Sequence, residues 1–226
     1  MKILIDASYL TFKWALRSQR WDWFEEMLQA DVLFAFDDDR NLRVETYPFY
    51  KSNRGELLDQ RTKDLKAVAK QWQEQIKFFH PERCVQWEGA EADDVLAELS
   101  RQYPNAYLMS EDHDMLQLTG VQLVNQHMEP WDVDRLKKYT KLPLKRGRTF
   151  LAYQLLYGCR TDCVPRRLFS KDRYTGPWVM SQPDPLATAI ELLPRKLVIE
   201  SLNCLMLPSP LLTGADPIEA ALALPA

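Results

Sequence analysis

"CVQWEGAEADDVLAELS", from Cys84 to Ser100, joins a short apolar run to an amphipathic segment through a stretch loaded with acids. Cys84 to Trp87 reads as a buried strand. Ala92, Val95, Leu96 and Leu99 recur at i, i+3, i+4 and i+7, so Glu91 to Gln102 reads as a helix with one buried stripe. At the junction stand Glu91, Asp93 and Asp94. Acids in a first helical turn have an ordinary explanation, because the helix dipole there favours negative charge by about 0.3–1 kcal/mol each. The rest of the chain decides whether that explanation suffices.

Four more apolar runs read as strands: "ILI" (Ile3 to Ile5), "VLFAF" (Val32 to Phe36), "AYLM" (Ala106 to Met109) and "VQLV" (Val121 to Val124). Helical stretches lie between them, notably Leu57 to Phe79, so the alternation predicts an α/β domain with a mostly parallel central sheet flanked by helices. Acids follow the strands. Asp6 follows the first, Asp37 to Asp39 the second, Glu91 and Asp93 the third, and Asp112 and Asp114 the fourth. In an open parallel sheet, ligand sites form beyond the carboxyl ends of the strands. Acids from four segments are therefore expected on one edge.

The chain has 226 residues, 46% of them hydrophobic, which suits one sizeable core or a domain with an appendage. "MKILIDASYL" is too short an apolar run for a signal peptide, and no segment approaches the ~18 apolar residues of a membrane span. Four cysteines without a secretory signal read as reduced thiols in the cytosol. Cys159 and Cys163, with His127 upstream, lack the second ligand pair of a zinc site.

The net charge of −3 hides a segregation. Lys137 to Arg148 ("KKYTKLPLKRGR") holds six cations, among them Lys145, Arg146 and Arg148, and no acid; "RRLFSKDR" (Arg166 to Arg173) adds four cations against one acid. Such a local basic stripe is what phosphate binding needs, whatever the total charge, although a solvated charged face is the plainer alternative. The expected organisation is a catalytic domain over 1–141, with a distinct region at about 50–79. A helical unit over 142–207 would follow, with "TFLAYQLLYG" and "PLATAIELL" as helices around a turn. A loosely packed tail over 208–226 would end the chain.

Six acids in one pocket would repel each other unless cations intervened. Oxygen ligands without histidine or thiolate favour Mg²⁺ or Mn²⁺, and two such ions roughly 4 Å apart form the clamp used in phosphodiester cleavage. "YPFYKSNRG" (Tyr47 to Gly55) then becomes interpretable. Lys51 and Arg54, three residues apart, are expected on one side of a helical turn, where they would hold the scissile phosphate. Tyr50 would stack on a base or sugar.

"LIDASYL", "FAFDDDR" followed by "YKSNR", "EGAEADD", "SEDHDMLQL" and "YGCRTDCVP", in this order from Met1 to about Pro165, resemble the phage and bacterial 5′-nucleases. These are the flap endonuclease/5′–3′ exonuclease superfamily with a PIN-like fold. The resemblance implies that Asp6, Asp37, Glu91 and Asp93 surround a first metal. Asp112 and Asp114 would reach toward a second, with Asp94 in support. It implies that Tyr50, Lys51 and Arg54 begin a helical arch, and that Thr149 to Leu193 is a helix-hairpin-helix-type element gripping duplex DNA. Implied partners are DNA with 5′ ends, flaps, nicks or branches, RNA primers annealed to DNA, and replication proteins, in bacterial or phage-infected cytosol.

One departure stands out. Where the family usually writes two aspartates, this chain has Gly158-Cys159-Arg160-Thr161-Asp162, so Asp162 survives and Cys159 replaces an expected ligand of the second metal. A neutral thiol is a poor Mg²⁺ ligand. The glycine-rich hairpin that often holds a monovalent cation is reduced to Thr175 and Gly176. Three competing readings are weaker. An aspartyl phosphotransferase using Asp6 would want an acid where Ser8 stands. A PIN-type ribonuclease would not need the "YKSNR" element or the downstream clamp. A structure-specific DNA-binding protein silenced at Cys159 would not need the six other acids. No GxxxxGK[ST] loop is present.

Overall fold

The computed structural model describes every residue except 18–20, 54–58, 168–173 and 226, and the side chains of 21–23, 135 and 139 lie outside the description as well. The elements run β1 (Lys2–Asp6), α1 (Ala7–Arg17), α2 (Trp21–Leu28), β2 (Asp31–Ala35), α3 (Leu42–Thr46), α4 (Gln60–Phe79), β3 (Cys84–Val85), α5 (Ala92–Gln102), β4 (Tyr107–Met109) and β5 (Gln122–Val124). Helices follow: α6 (Asp134–Thr140), α7 (Arg148–Tyr157), α8 (Thr175–Met180), α9 (Pro185–Leu192), α10 (Arg195–Leu205), α11 (Pro210–Thr213) and α12 (Pro217–Leu222). The chain forms two compact units. The first comprises Met1–Asn41, Gly55–Met115 and Gly120–Trp131; the second comprises Leu42–Arg54, Leu116–Thr119 and Asp132–Ala226.

In the first unit the five strands are parallel and lie in the order β3-β2-β1-β4-β5. The chain builds outward from β1 to β3, then returns through α5 to place β4 on the other side of β1. The winding direction thus reverses between β1 and β4, where a doubly wound sheet opens its ligand crevice beyond the carboxyl ends. The register puts Asp6 opposite Ala35, and Ile5 opposite both Phe34 and Met109. Ile3, Ile5, Phe34, Met109 and Val124 lie in the core, under Leu10 and Trp14 of α1, Phe24 of α2 and Ile76 of α4. Trp14 meets Phe24 edge-on at 5.5 Å and Trp72 at 5.4 Å. Each such ring removed from water contributes on the order of 2 kcal/mol.

The expected helix from Leu57 is described from Gln60, because Asp59 caps it: its carboxylate accepts from Thr62 N at 2.7 Å. The helix expected from Glu91 starts one residue later, with Glu91 itself in extended backbone. The predicted stripe of Ala92, Val95, Leu96 and Leu99 is buried.

In the second unit α7 packs against α9 and α10, and α12 against α9 and α10. Phe150, Leu151 and Leu155 of α7, Leu186 of α9 and Leu202 of α10 are buried. Gln117 fastens this core, donating to Gln154 Oε1 at 2.8 Å and to the Leu205 carbonyl at 2.6 Å. The segment from Pro208, expected to pack loosely, instead forms α11 and α12 and buries Ile218 and Ala221. Prolines at the helix starts and caps from Ser209 and Asp216 account for this order. Among the described residues no helix is long and apolar enough to cross a membrane.

Candidate active site

Asp6 ends β1 at the carboxyl edge of the sheet, beside the point where its winding reverses. Its Oδ1 accepts from Tyr9 N at 2.9 Å and its Oδ2 from Ser110 Oγ at 3.1 Å, one donor from each wall. Its exposure is only 7%. Burial raises its pKa first, and the Asp37 and Asp112 carboxylates push it further, up to about 7 from the ordinary 3.8. Tyr9 N–H and Ser110 offset that only in part. Three acids thus repel one another at this edge of the sheet.

Asp37, two residues past β2, is held at both oxygens: Ser8 Oγ donates at 2.8 Å and Ala92 N, the first residue of α5, at 2.9 Å. Its neighbour Asp38 is turned to other work. Gly89 N and the Gln86 side-chain amide donate to it at 2.8 and 2.9 Å and hold its carboxyl below the usual range. Asp94 is buried and accepts from Glu91 N at 3.2 Å, so the ordinary explanation for first-turn acids applies to Asp94. Glu91 is buried in the residue before the helix, and Asp93 is half-buried in its first turn. Past β4, Ser110 Oγ accepts from Asp112 N at 3.2 Å and Asp112 Oδ1 accepts from Asp114 N at 2.9 Å, which coils the two aspartates into one turn.

Asp162 and Cys159 belong to the second unit. Asp162 is 2% exposed; the Cys159 thiol donates to its Oδ2 at 3.2 Å, and Lys51 Nζ stands 3.9 Å from its Oδ1. Lys51 N also donates to the Asp162 carbonyl at 3.1 Å. Cys159 and Val164 form a two-bond antiparallel bridge, with Cys163 at φ 59° closing the turn. Gly158 enters it at φ 72°, where a Cβ would stand 2.5 Å from the Val164 carbonyl oxygen. Only glycine fits there.

Several expected DNA contacts are placed differently. Lys51 lies in a turn at φ 55°, not on a helical face, and Arg54 lies outside the described residues. Tyr50 is 3% exposed, with Lys51 Nζ 4.9 Å above its ring and the Arg43 guanidinium 5.9 Å away, so cations rather than solvent cover the ring expected to stack on a base. Lys145 is exposed, as a phosphate contact requires. Arg146 instead donates to the Leu118 carbonyl, and Arg148 pairs with Asp184 and donates to the Leu222 carbonyl at 3.1 Å. Both fasten the second unit internally. In the second basic stretch, Arg166 stacks over Tyr157 at 5.0 Å and Arg167 pairs with Glu200 at 3.7 Å; Leu168 to Arg173 lie outside the described residues.

The family model for the "5′-3′ exonuclease, N-terminal resolvase-like domain" matches residues 18–141, more than half of the chain. The chain belongs to that family. The matched segment carries Asp37, Glu91, Asp93, Asp112 and Asp114; Asp6 precedes it and Asp162 follows it. Among solved structures, the chain is similar to the bacteriophage T5 D15 flap endonuclease in a pseudo-enzyme–product complex with DNA and metal ions. That match has 17% identity and a TM-score of 0.69, over 97% of this chain and 96% of that one. T5 5′-exonuclease with bound zinc matches at 16% identity and a TM-score of 0.64, over 98% and 97% of the two chains. The D15 protein co-crystallised with metal ions matches at 18% identity and a TM-score of 0.62. No curated protein matches the chain. The fold is therefore shared from end to end.

Residues that sequence reasoning missed are the supports: Ser110 on Asp6, Ser8 on Asp37, and Tyr9, whose amide meets Asp6. A hydroxyl just past the end of a strand, as at Ser8 and Ser110, was the available signal.

Proposed function

We propose that this chain is a divalent-metal-dependent, structure-specific 5′-nuclease that hydrolyses DNA phosphodiesters near 5′ ends and releases 5′-phosphorylated products. One observation carries the reading: Asp6 is buried against Asp37 and Asp112 and pushed up to about 7, at the switch-point crevice of a 5′-3′ exonuclease fold. Such a set is electrostatically incomplete by itself, and its all-oxygen donors fit a hard cation, Mg²⁺ or Mn²⁺. A cation bound there supplies Lewis-acid activation of water and neutralises charge developing on the phosphate.

The chain's own residues divide the remaining work. Asp6, Asp37 and Asp112 would hold the ion with Glu91 and Asp93, and Asp114 would reach toward a second. Ser110 and the Tyr9 amide fix the rotamer of Asp6, and Ser8 and the Ala92 amide fix that of Asp37. Lys51 and Arg54 are assigned to the scissile phosphate and the 50–79 region to an arch over the 5′ strand. The helical region 142–207 grips duplex DNA, with Lys145 on the phosphates. Asp162 and Cys159 offer donors for a second ion, but as a set for Mg²⁺ they are poorer than the carboxylates around Asp6. A thiol stands where a carboxylate is expected, and an ammonium already faces Asp162. RNA primers annealed to DNA and replication proteins are a further substrate and partners in the same reading, with the cytosol as its place of action.

The same thiol and ammonium favour one second reading, a flap-binding protein with weakened chemistry. Cleavage of a 5′-labelled flap and a nicked duplex in Mg²⁺ and Mn²⁺, wild type against Asp6→Asn, separates the two. The nuclease reading expects cleavage that the substitution abolishes. Tight flap binding without cleavage in either metal would leave the second reading standing instead.

A further inference from the structure

Tyr9 touches the crevice twice. Its amide donates to Asp6 Oδ1 at 2.9 Å, and its phenol donates to Glu111 Oε2 at 3.0 Å. Glu111 sits in sequence between Ser110, whose hydroxyl donates to Asp6, and Asp112. A closed ring results: Asp6 to Tyr9 amide, Tyr9 phenol to Glu111, Glu111 through the chain to Ser110, and Ser110 back to Asp6. It ties the start of α1, on one wall, to the turn after β4 on the other. Lys13 Nζ reaches the same Glu111 oxygen at 2.9 Å and lies 5.3 Å from the Tyr9 ring, and Gln126 N donates to the Tyr9 oxygen at 3.3 Å.

Building on the metal-dependent reading above, we propose that Glu111, held by Tyr9 and Lys13, is a positioning residue that fixes the separation of Asp6 and Asp112 and so sets the crevice's affinity for a divalent cation. A carboxylate at 111 would add to the repulsion among Asp6, Asp37 and Asp112 if it stood alone. The Lys13 ammonium cancels it, and the tie to Tyr9 remains. The Lys13–Glu111 pair is partly exposed, and such pairs contribute little to overall stability. Positioning and folding are therefore separable.

The test uses the full chain and Mn²⁺. Free Mn²⁺ is titrated by electron paramagnetic resonance for wild type, Tyr9→Phe, Glu111→Leu and Glu111→Gln, with circular dichroism confirming folding. Tyr9→Phe and Glu111→Leu are expected to weaken Mn²⁺ binding about tenfold, the scale for groups that orient metal ligands. Glu111→Gln, which keeps an acceptor for the phenol, should stay within about threefold of wild type, as one altered hydrogen bond allows. At saturating metal, KM for flap DNA should be unchanged in all. Should Glu111→Leu fail to fold, Tyr9→Phe decides. Unaltered Mn²⁺ affinity in the folded variants would overturn the positioning role alone; a wild-type protein that binds no Mn²⁺ would overturn it together with the functional reading.

Discussion

Two buried aspartates, one at a strand end and one in a turn, live under opposite conditions. Asp6 faces Asp37 and Asp112 and is pushed up to about 7 by burial and their charge. Asp162 faces a lysine ammonium at 3.9 Å and a thiol donor at 3.2 Å. In the proposed function the first takes a cation from outside the chain; the second faces one supplied by the chain. Counting acids in a sequence cannot separate these cases, because what matters is whether the compensating charge is built in.

Removing an acid from the first region should do most. Asp112→Asn, assayed on a labelled flap, should lower cleavage at least about a hundredfold, the upper scale for groups that tune metal sites. Activity within a few-fold of wild type would break the contrast. The pH dependence of stability comes next. Asp6 has a folded pKa near 7 against 3.8, so between those values the folded state binds more protons than the unfolded state. Without metal, stability should therefore be greatest in acid, fall as pH rises toward 7, and level off above it. Calorimetry in chelator should show a lower Tm at pH 8 than at pH 5.5 by a few degrees or more, on the scale of about 2–4 °C per kcal/mol. Mg²⁺ should raise the pH 8 value, and Asp6→Asn should flatten the profile.

In the second region, Gly158→Ala must move the backbone, since its Cβ would stand 2.5 Å from the Val164 carbonyl oxygen at φ 72°. A loss of about 1–3 kcal/mol in chemical denaturation is expected. Smallest is Cys159→Asp, which adds a hard ligand beside Asp162. It should lower the Mg²⁺ concentration for half-maximal cleavage by less than about tenfold, the equivalent of one ordinary charge-assisted contact. No change would mean that Lys51 alone decides the character of this site.

Much of the first region was legible in the sequence. Short apolar runs followed by acids gave the parallel strands and put Asp6, Asp37, Glu91 and Asp112 at their carboxyl ends, because strand and helix periods are local properties. The second region was less so. Arg148 looked like a phosphate contact, yet its partners Asp184 and Leu222 lie 36 and 74 residues away. Nothing periodic announces them. Lys51 and Arg54 have the spacing of one side of a helical turn, but Lys51 takes a left-handed conformation that spacing does not encode. The tail after Pro208 has a composition that suggests fraying, whereas its caps and the burial of Ile218 depend on contacts with α9 and α10.

The most direct test is a crystal of the protein soaked in Mn²⁺ and measured for anomalous scattering. A peak is expected among Asp6, Asp37 and Asp112, stronger than any beside Asp162. Mn²⁺ found beside Asp162 and absent from the crevice would contradict it.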